Sequence, residues 1–225
     1  MERRNFTAVL FAASLPAWHA TAAAAVVEAD AAAGVRAALD RGARAAVAQL
    51  GRPDGFLGNP RVRIPLPGFL DDAGKLLKRI GQGRRVDELV TAMNRAAEAA
   101  VPEAQALFVS TIKAMSVEDA LQVVRGGATS VTDFFAMKTR TPLTERFLPI
   151  VTRATEKVQL AERYNALAAR AASLGLVKGD DSNVQRHVTA RALDGLYLMV
   201  GEEEKKIRAD PLKTGSEILR RVFGG

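Results

Sequence analysis

Apolar residues recur at helical spacing along most of this chain. From Ala29 to Leu50, Val35, Ala38, Leu39, Ala46, Val47 and Leu50 fall three and four apart, with Arg36, Asp40, Arg41 and Arg44 between them. That pattern predicts an amphipathic helix, stopped by Gly51. Residues 52–60 are dense in turn formers, and Pro60, Pro65 and Pro67 exclude a helix from residues 60–67. Val62, Ile64 and Leu66 alternate with Arg61 and Arg63. The expected result is an extended Pro-rich arm over residues 59–67, apolar on one face and cationic on the other, lying across helices rather than inside a sheet.

Helical patterning resumes over Asp71 to Ile80, Arg84 to Ala100 and Pro102 to Met115, with Pro102 kinking or restarting the helix. Ser116 reads as an N-cap followed by the acidic first-turn residues Glu118 and Asp119, opening a short helix that ends at Gly126-Gly127. A short helix is expected from Ser130 to Lys138. Thr141-Pro142 then reads as a cap with proline at the first helical position, opening a helix interrupted at Pro149 and continuing to about Leu174. Ser182 reads as the cap of the longest helix, which runs to Arg208, and a last helix is expected from Ser216 to Phe223. Strand alternation is confined to residues 61–66. The predicted fold class is therefore all-α, a single-domain helical bundle over residues 23–225 with one extended arm.

Composition narrows the chemistry. The 225 residues are 48% apolar, enough to bury a core, and 32 lysines and arginines against 25 acids give a net charge of +7. Such a charge favours acidic partners. Absence of cysteine removes disulfides, thiolate nucleophiles and Cys-ligated zinc. Residues 1–22 read as a signal peptide: Arg3 and Arg4, an apolar run from Phe6 to Leu15, and Ala20-Thr21-Ala22 as a cleavage site. Arg3-Arg4-Asn5-Phe6 fits a twin-arginine signal as well as a general secretory one. The apolar run is too short to span a bilayer, so no transmembrane segment is expected in the mature chain, and the expected location is the periplasm.

Cleavage removes His19 and Trp18. His187 is then the sole histidine, which excludes a two-histidine metal site within one chain. Gly81-Gln82-Gly83 lacks the third glycine of a dinucleotide loop and comes after a helix, so no cofactor is expected. Nucleic acid is disfavoured by export and by the shortage of stacking aromatics.

Two groups of residues could carry binding. Asp87, Thr91, Asn94 and Glu98 step by four, three and four along one helical face, with Arg95 beside them. They read as the wall of a polar cleft or, more simply, as a solvated face opposite Val86, Leu89, Val90, Met93 and Ala97. Asp194 lies among Ala192, Leu193, Gly195, Leu196 and Tyr197, which predicts partial burial and pairing with Arg191 at i−3. His187 is too far along the same helix to bond Asp194 and reads as a lone surface histidine. Gly195 permits close helix packing or ligand approach. Glu202 with Lys206, and Glu204 with Arg208, read as i, i+4 pairs on a solvated helix end. The basic groups Lys75, Lys78, Arg79, Arg84 and Arg85, and Arg61 with Arg63, could meet phosphates.

Several strings resemble an uncharacterised family of exported bacterial proteins, the domain-of-unknown-function family numbered forty-one ninety-seven. They are Gly51-Arg52-Pro53-Asp54-Gly55-Phe56-Leu57, the run from Asn59 to Pro67, Met93-Asn94-Arg95-Ala96-Ala97-Glu98, the run from Ala192 to Met199, and the run from Glu202 to Arg208. The resemblance covers roughly Val35 to Phe223. It implies one helical domain and an export signal, and it brings no activity, cofactor or catalytic residue.

The expected function is thus a non-catalytic binding or structural role in the envelope, toward an anionic or amphipathic lipid-like ligand or an envelope protein. Arg61, Arg63, Asn94, Arg95, Glu98, Arg191 and Asp194 are the candidate binding residues, with no metal ligand among them. The alternatives are an acid/base hydrolase built on Glu98 and Asp194, and a chaperone-like module for envelope assembly.

Overall fold

A computed structural model of the chain describes residues 18–67, 79, 81, 83–127, 129–156 and 183–210. Among these residues there are six helices and no strand: α1 Trp18–Leu50, α2 Gly83–Ala100, α3 Glu103–Lys113, α4 Val117–Arg125, α5 Ser130–Glu156 and α6 Val184–Ala209. The protein is an all-α helical bundle. The helices expected over residues 71–80, 157–174 and 216–223 lie outside the described residues, except that Arg79 is helical. So do Lys75 and Lys78 of the basic cluster. The expected cleavage point after Ala22 falls in the first turns of α1.

Helix α6 is the centre of the bundle. It packs against α1, α2 and α5, and twelve of its residues are buried, from Val184 to Glu204. Only a narrow strip, including Arg191, Asp194 and Leu198, remains exposed. The helix is capped by Asn183, whose side chain accepts from the Arg186 N–H at 3.1 Å, rather than by Ser182 as the sequence predicts. Asn is as good an N-cap as Ser, so adjacent candidates are hard to rank from sequence. Ser116 forms the predicted cap of α4 as a full capping box with Asp119. That hydrogen bonding holds the Asp119 carboxyl below its ordinary value.

The largest departure is α5. The sequence predicts a break at Thr141-Pro142, yet one helix runs through both Pro142 and Pro149. Phe135, Thr139, Leu143, Phe147, Val151 and Thr155 are all buried at a constant spacing of four, so a single stripe continues past both prolines. Each proline costs a backbone hydrogen bond and introduces a steric clash, about 3 kcal/mol in a helix interior. Burial of two phenylalanines, a leucine and a valine on one face is of a size to offset that, at about 1.5–3 kcal/mol per side chain. Helices α5 and α6 run antiparallel: Val131 meets Glu204 at the start of α5, and Arg140 meets Asp194 near the middle of both helices.

An aromatic group fills the centre: Phe108 lies 4.7 Å from Phe135 and 6.3 Å from Tyr197 between ring centroids. The Tyr197 hydroxyl bonds Thr139 Oγ1 at 2.8 Å, and burial raises its pKa. Arg36 of α1 donates twice to the Met115 carbonyl, fastening the turn between α3 and α4. Among the described residues no helix is long and apolar enough to cross a membrane.

Candidate functional site: a strap locked onto α2 and α6

Residues 51–67 form a strap that leaves the end of α1 and crosses α2 and α6. Its alternation is the predicted one. Phe56, Val62 and Ile64 are buried, whereas Arg61, Arg63 and Pro65 face outward. Two glycines allow this close seating. A Cβ on Gly55 would lie 2.3 Å from the Leu50 carbonyl oxygen, so only glycine lets the chain turn back under α1. A Cβ on Gly195 would lie 2.8 Å from the Phe56 ring and 3.2 Å from Val62 Cβ. The space beside Gly195, left open by the sequence, is thus taken by the strap.

The strap, with four prolines, closes tight turns on itself, such as Gly58 N–H to the Asp54 carbonyl and Arg63 N–H to the Asn59 carbonyl, and α2 bonds backbone groups that these turns leave open at Phe56, Leu57 and Ile64. Glu98 Oε1 accepts the N–H groups of Phe56 and Leu57 at 3.0 and 3.1 Å, while Oε2 takes Arg95 at 2.6 Å. Asn94 accepts the Ile64 N–H at 2.8 Å and donates to the Ile64 carbonyl at 2.9 Å, pairing with that residue as a neighbouring strand would. Both side chains are buried, Asn94 fully and Glu98 at 4% exposure. The solvated face expected for this stripe is therefore real only at Asp87 and Thr91. Helix propensity and spacing put Asn94 and Glu98 on one face, and the strap covers it.

Arg95 bridges Glu98 to Asp54, whose carboxylate it meets at 2.8 Å. Hydrogen bonding to Glu98, then to Asp54, raises the Arg95 pKa. Asp54 itself adopts φ +64°, a conformation that aspartate tolerates better than most residues.

From the other side, His187 Nε2 lies 3.3 Å from the Pro65 carbonyl oxygen. The histidine is 2% exposed, so the surface position expected for it is corrected: it is part of the lock. Asp194 is also corrected. Its side chain is 48% exposed and forms a surface network with Arg140 at 2.9 Å and Arg191 at 3.8 Å. Its apolar sequence neighbours are buried around α6, while Asp194 falls on the open strip. Arg140 also stacks over the Tyr197 ring at 5.0 Å.

The α6 end differs from expectation too. Glu204 is buried and pairs with Arg208 at 2.8 Å, and Arg208 reaches on to Ser130 and to the Val123 carbonyl. That end is a joint between α4, α5 and α6 rather than a solvated tip. Lys206 pairs with Glu203 rather than Glu202. Glu202 is taken instead by Arg61 at 2.9 Å and Lys205 at 3.2 Å.

Hydrogen bonds from Arg61, then Lys205, lower the Glu202 carboxyl from an ordinary 4.5 to about 2. A depressed carboxyl contributes stability that is present above its ordinary value and lost as pH falls toward the folded value. Acidification from about pH 4.5 to about pH 2 is expected to lower the urea midpoint less in Arg61→Ala than in the native protein. Parallel slopes for the two proteins across that window would contradict the assignment.

Between the last turn of α1, the first half of the strap and α6 lies a groove of about 340 Å³. Its charged lining is Arg52, Asp54, Arg61, Glu202 and Lys206, with Gln49 and Asn59 as neutral polar groups. The sequence singles out Arg61 alone of these as a candidate. Arg52 is within reach of a sequence reading, since it stands in the Gly51 to Leu57 string. Of the other candidates, Arg63 is exposed on the strap, and Arg191 and Asp194 sit in the Arg140 network apart from the strap's bonds. Among the described residues no group of three or more His, Asp or Glu could hold a metal ion.

The fold and this site define an α-helical bundle that carries an irregular strap bonded by buried side chains. The chain belongs to the family described as "Protein of unknown function (DUF4197)", which it matches over residues 25–224. No curated protein and no solved structure is matched.

Proposed function

We propose that this is an exported, non-catalytic binding protein of the cell envelope, which presents the outer face of the strap to an anionic or amphipathic partner. One observation carries the reading. The strap's inner face is fixed by Asn94, Glu98 and His187, while on its outer face Arg52 and Arg63 are exposed and, among the described residues, make no ion pair or side-chain hydrogen bond. Loops held this firmly by a scaffold commonly serve to position surface groups. The basic net charge and the signal-like N-terminus agree with an anionic partner outside the inner membrane.

The geometry favours this over a hydrolase on Glu98 and Asp194. Both oxygens of Glu98 are engaged by the strap and Arg95, and Asp194 shares no bonding partner with it. A general acid or base needs a proton-accepting oxygen within reach of a substrate. Native mass spectrometry of the protein purified from its own envelope tests the proposal, with solvent extraction of what it carries. A stoichiometric lipid or small anion supports it. A bare chain that also fails to bind anionic vesicles at physiological salt overturns it, and a co-purifying protein in their place turns the reading to an assembly module.

A further inference from the structure

Resting on that reading of the strap, we infer that the groove between α1, the strap and α6 binds a small molecule through a carboxylate or phosphate group, with Arg52 as its main contact. The five charged groups of the lining are not equivalent. Arg61 is matched by Glu202, Lys206 by Glu203, and Asp54 by Arg95. Arg52 alone of the five has no counter-charge among the described residues.

The hydrogen-bonding capacity left open in the groove is mostly donor. Arg52 offers its guanidinium N–H groups, and the Gln49 side-chain amide, donor and acceptor alike, makes no hydrogen bond among the described residues. Asn59 Oδ1 accepts the Arg61 backbone N–H at 3.2 Å, which fixes the side-chain amide and leaves its NH₂ without a partner among the described residues. A ligand that satisfies Arg52 and Asn59 brings acceptors, and negative charge favours it at Arg52. The guanidinium fork matches the paired oxygens of a carboxylate or phosphate in geometry as well as sign.

Size and the acidic lining limit the ligand further. A volume of about 340 Å³ lies at the lower end of the range of small-molecule pockets, which suits a compact ligand. Asp54 and Glu202 stand in the same lining, so a compact ligand with one anionic group fits better than a polyanion. Met199 contributes an apolar surface for its body. Arg63 is not part of the lining, which separates this site from a general attraction between the strap and an anionic membrane surface.

The test titrates inorganic phosphate and, separately, acetate into the purified protein at constant ionic strength, with chloride as the balancing ion. Proton–nitrogen correlation spectra report the Arg52 Nε–H and the side-chain amides of Gln49 and Asn59. The expected result is saturable binding in the millimolar range that moves these three signals. Arg52→Ala should weaken binding by about tenfold, the loss of a charge-assisted bond, and Arg63→Ala should leave it unchanged. Because the Arg52 side chain is exposed and unbonded, its variant should keep the native far-ultraviolet circular dichroism.

No saturable shift with either anion, or equal weakening by the two variants, overturns the inference. Flotation with phosphatidylglycerol vesicles distinguishes the two levels of failure. If vesicles bind and Arg63→Ala weakens them while phosphate and acetate do not bind, the groove falls and the broader reading of the strap survives. If vesicles also fail to bind and the chain purified from its envelope is bare, both fall.

Discussion

Glu98→Ala is expected to destabilise the protein by about 2–4 kcal/mol, the cost of leaving one buried and one partly buried backbone N–H without an acceptor. The substitution strands the Phe56 N–H, which is buried, and the Leu57 N–H, which is partly so, and it releases Arg95 from its short contact. Glu98→Gln keeps an acceptor oxygen for the two N–H groups and loses the charge opposite Arg95. It should cost about 1–2 kcal/mol. Urea unfolding followed by circular dichroism gives both values. Amide hydrogen exchange at Phe56 and Leu57 should accelerate in the alanine variant under native conditions. An alanine variant within about 1 kcal/mol of the native protein, with both amides still protected, would show that the strap is held by its apolar face instead.

The second large effect is a coupling. Phe56 is fully buried, and its truncation to Ala should cost about 3–5 kcal/mol. Gly195→Ala introduces a better helix former, a gain of about 1 kcal/mol in an open site. Here the new methyl would sit 2.8 Å from the Phe56 ring, so over-packing of about 1–3 kcal/mol makes the net effect destabilising. In the Phe56→Ala background the closest obstacle is gone and only the contact with Val62 is left, so the same glycine substitution should cost markedly less. A double-mutant cycle by chemical denaturation reads this coupling. If Gly195→Ala has the same effect in both backgrounds, Gly195 is not the seat of the strap.

Much of the bundle is legible in the sequence because helix formation follows local spacing. The pattern from Ala29 to Leu50, the cap at Ser116 and the long helix ending near Arg208 need no tertiary information. Helix α5 shows where a local rule misleads. Proline at 142 following threonine is a good start signal, but the stripe Phe135, Thr139, Leu143, Phe147, Val151 and Thr155 is also in the sequence. It keeps one register through both prolines, and the longer pattern wins.

The site is legible only in part. Spacing puts Asn94 and Glu98 on one face, and alternation gives the strap its two faces. That these faces meet is hidden, since the groups that Asn94 and Glu98 satisfy are backbone N–H and C=O, which leave no trace in side-chain pattern. A usable signal does exist in Pro60, Pro65 and Pro67. A buried segment that cannot form ladder hydrogen bonds must find side-chain partners elsewhere, and a polar stripe on an otherwise apolar helix is where to look. Asp194 and His187 mislead for the opposite reason, since sequence neighbours say little about exposure on a helix buried on most of its circumference.

The strap's anchors lie far from it along the chain, which orders the events of folding. Glu98 stands 42 residues from Phe56, Asn94 30 residues from Ile64, and His187 122 residues from Pro65. Closing such loops is entropically costly until the helices at their far ends have docked, so the strap is expected to close after α2 and α6 are together. Loss of Glu98 should then appear as faster unfolding with little change in the folding rate. The arginines of the outer face consequently acquire their arrangement last. A chain folded everywhere else would already carry the charge of the native protein and still lack its groove.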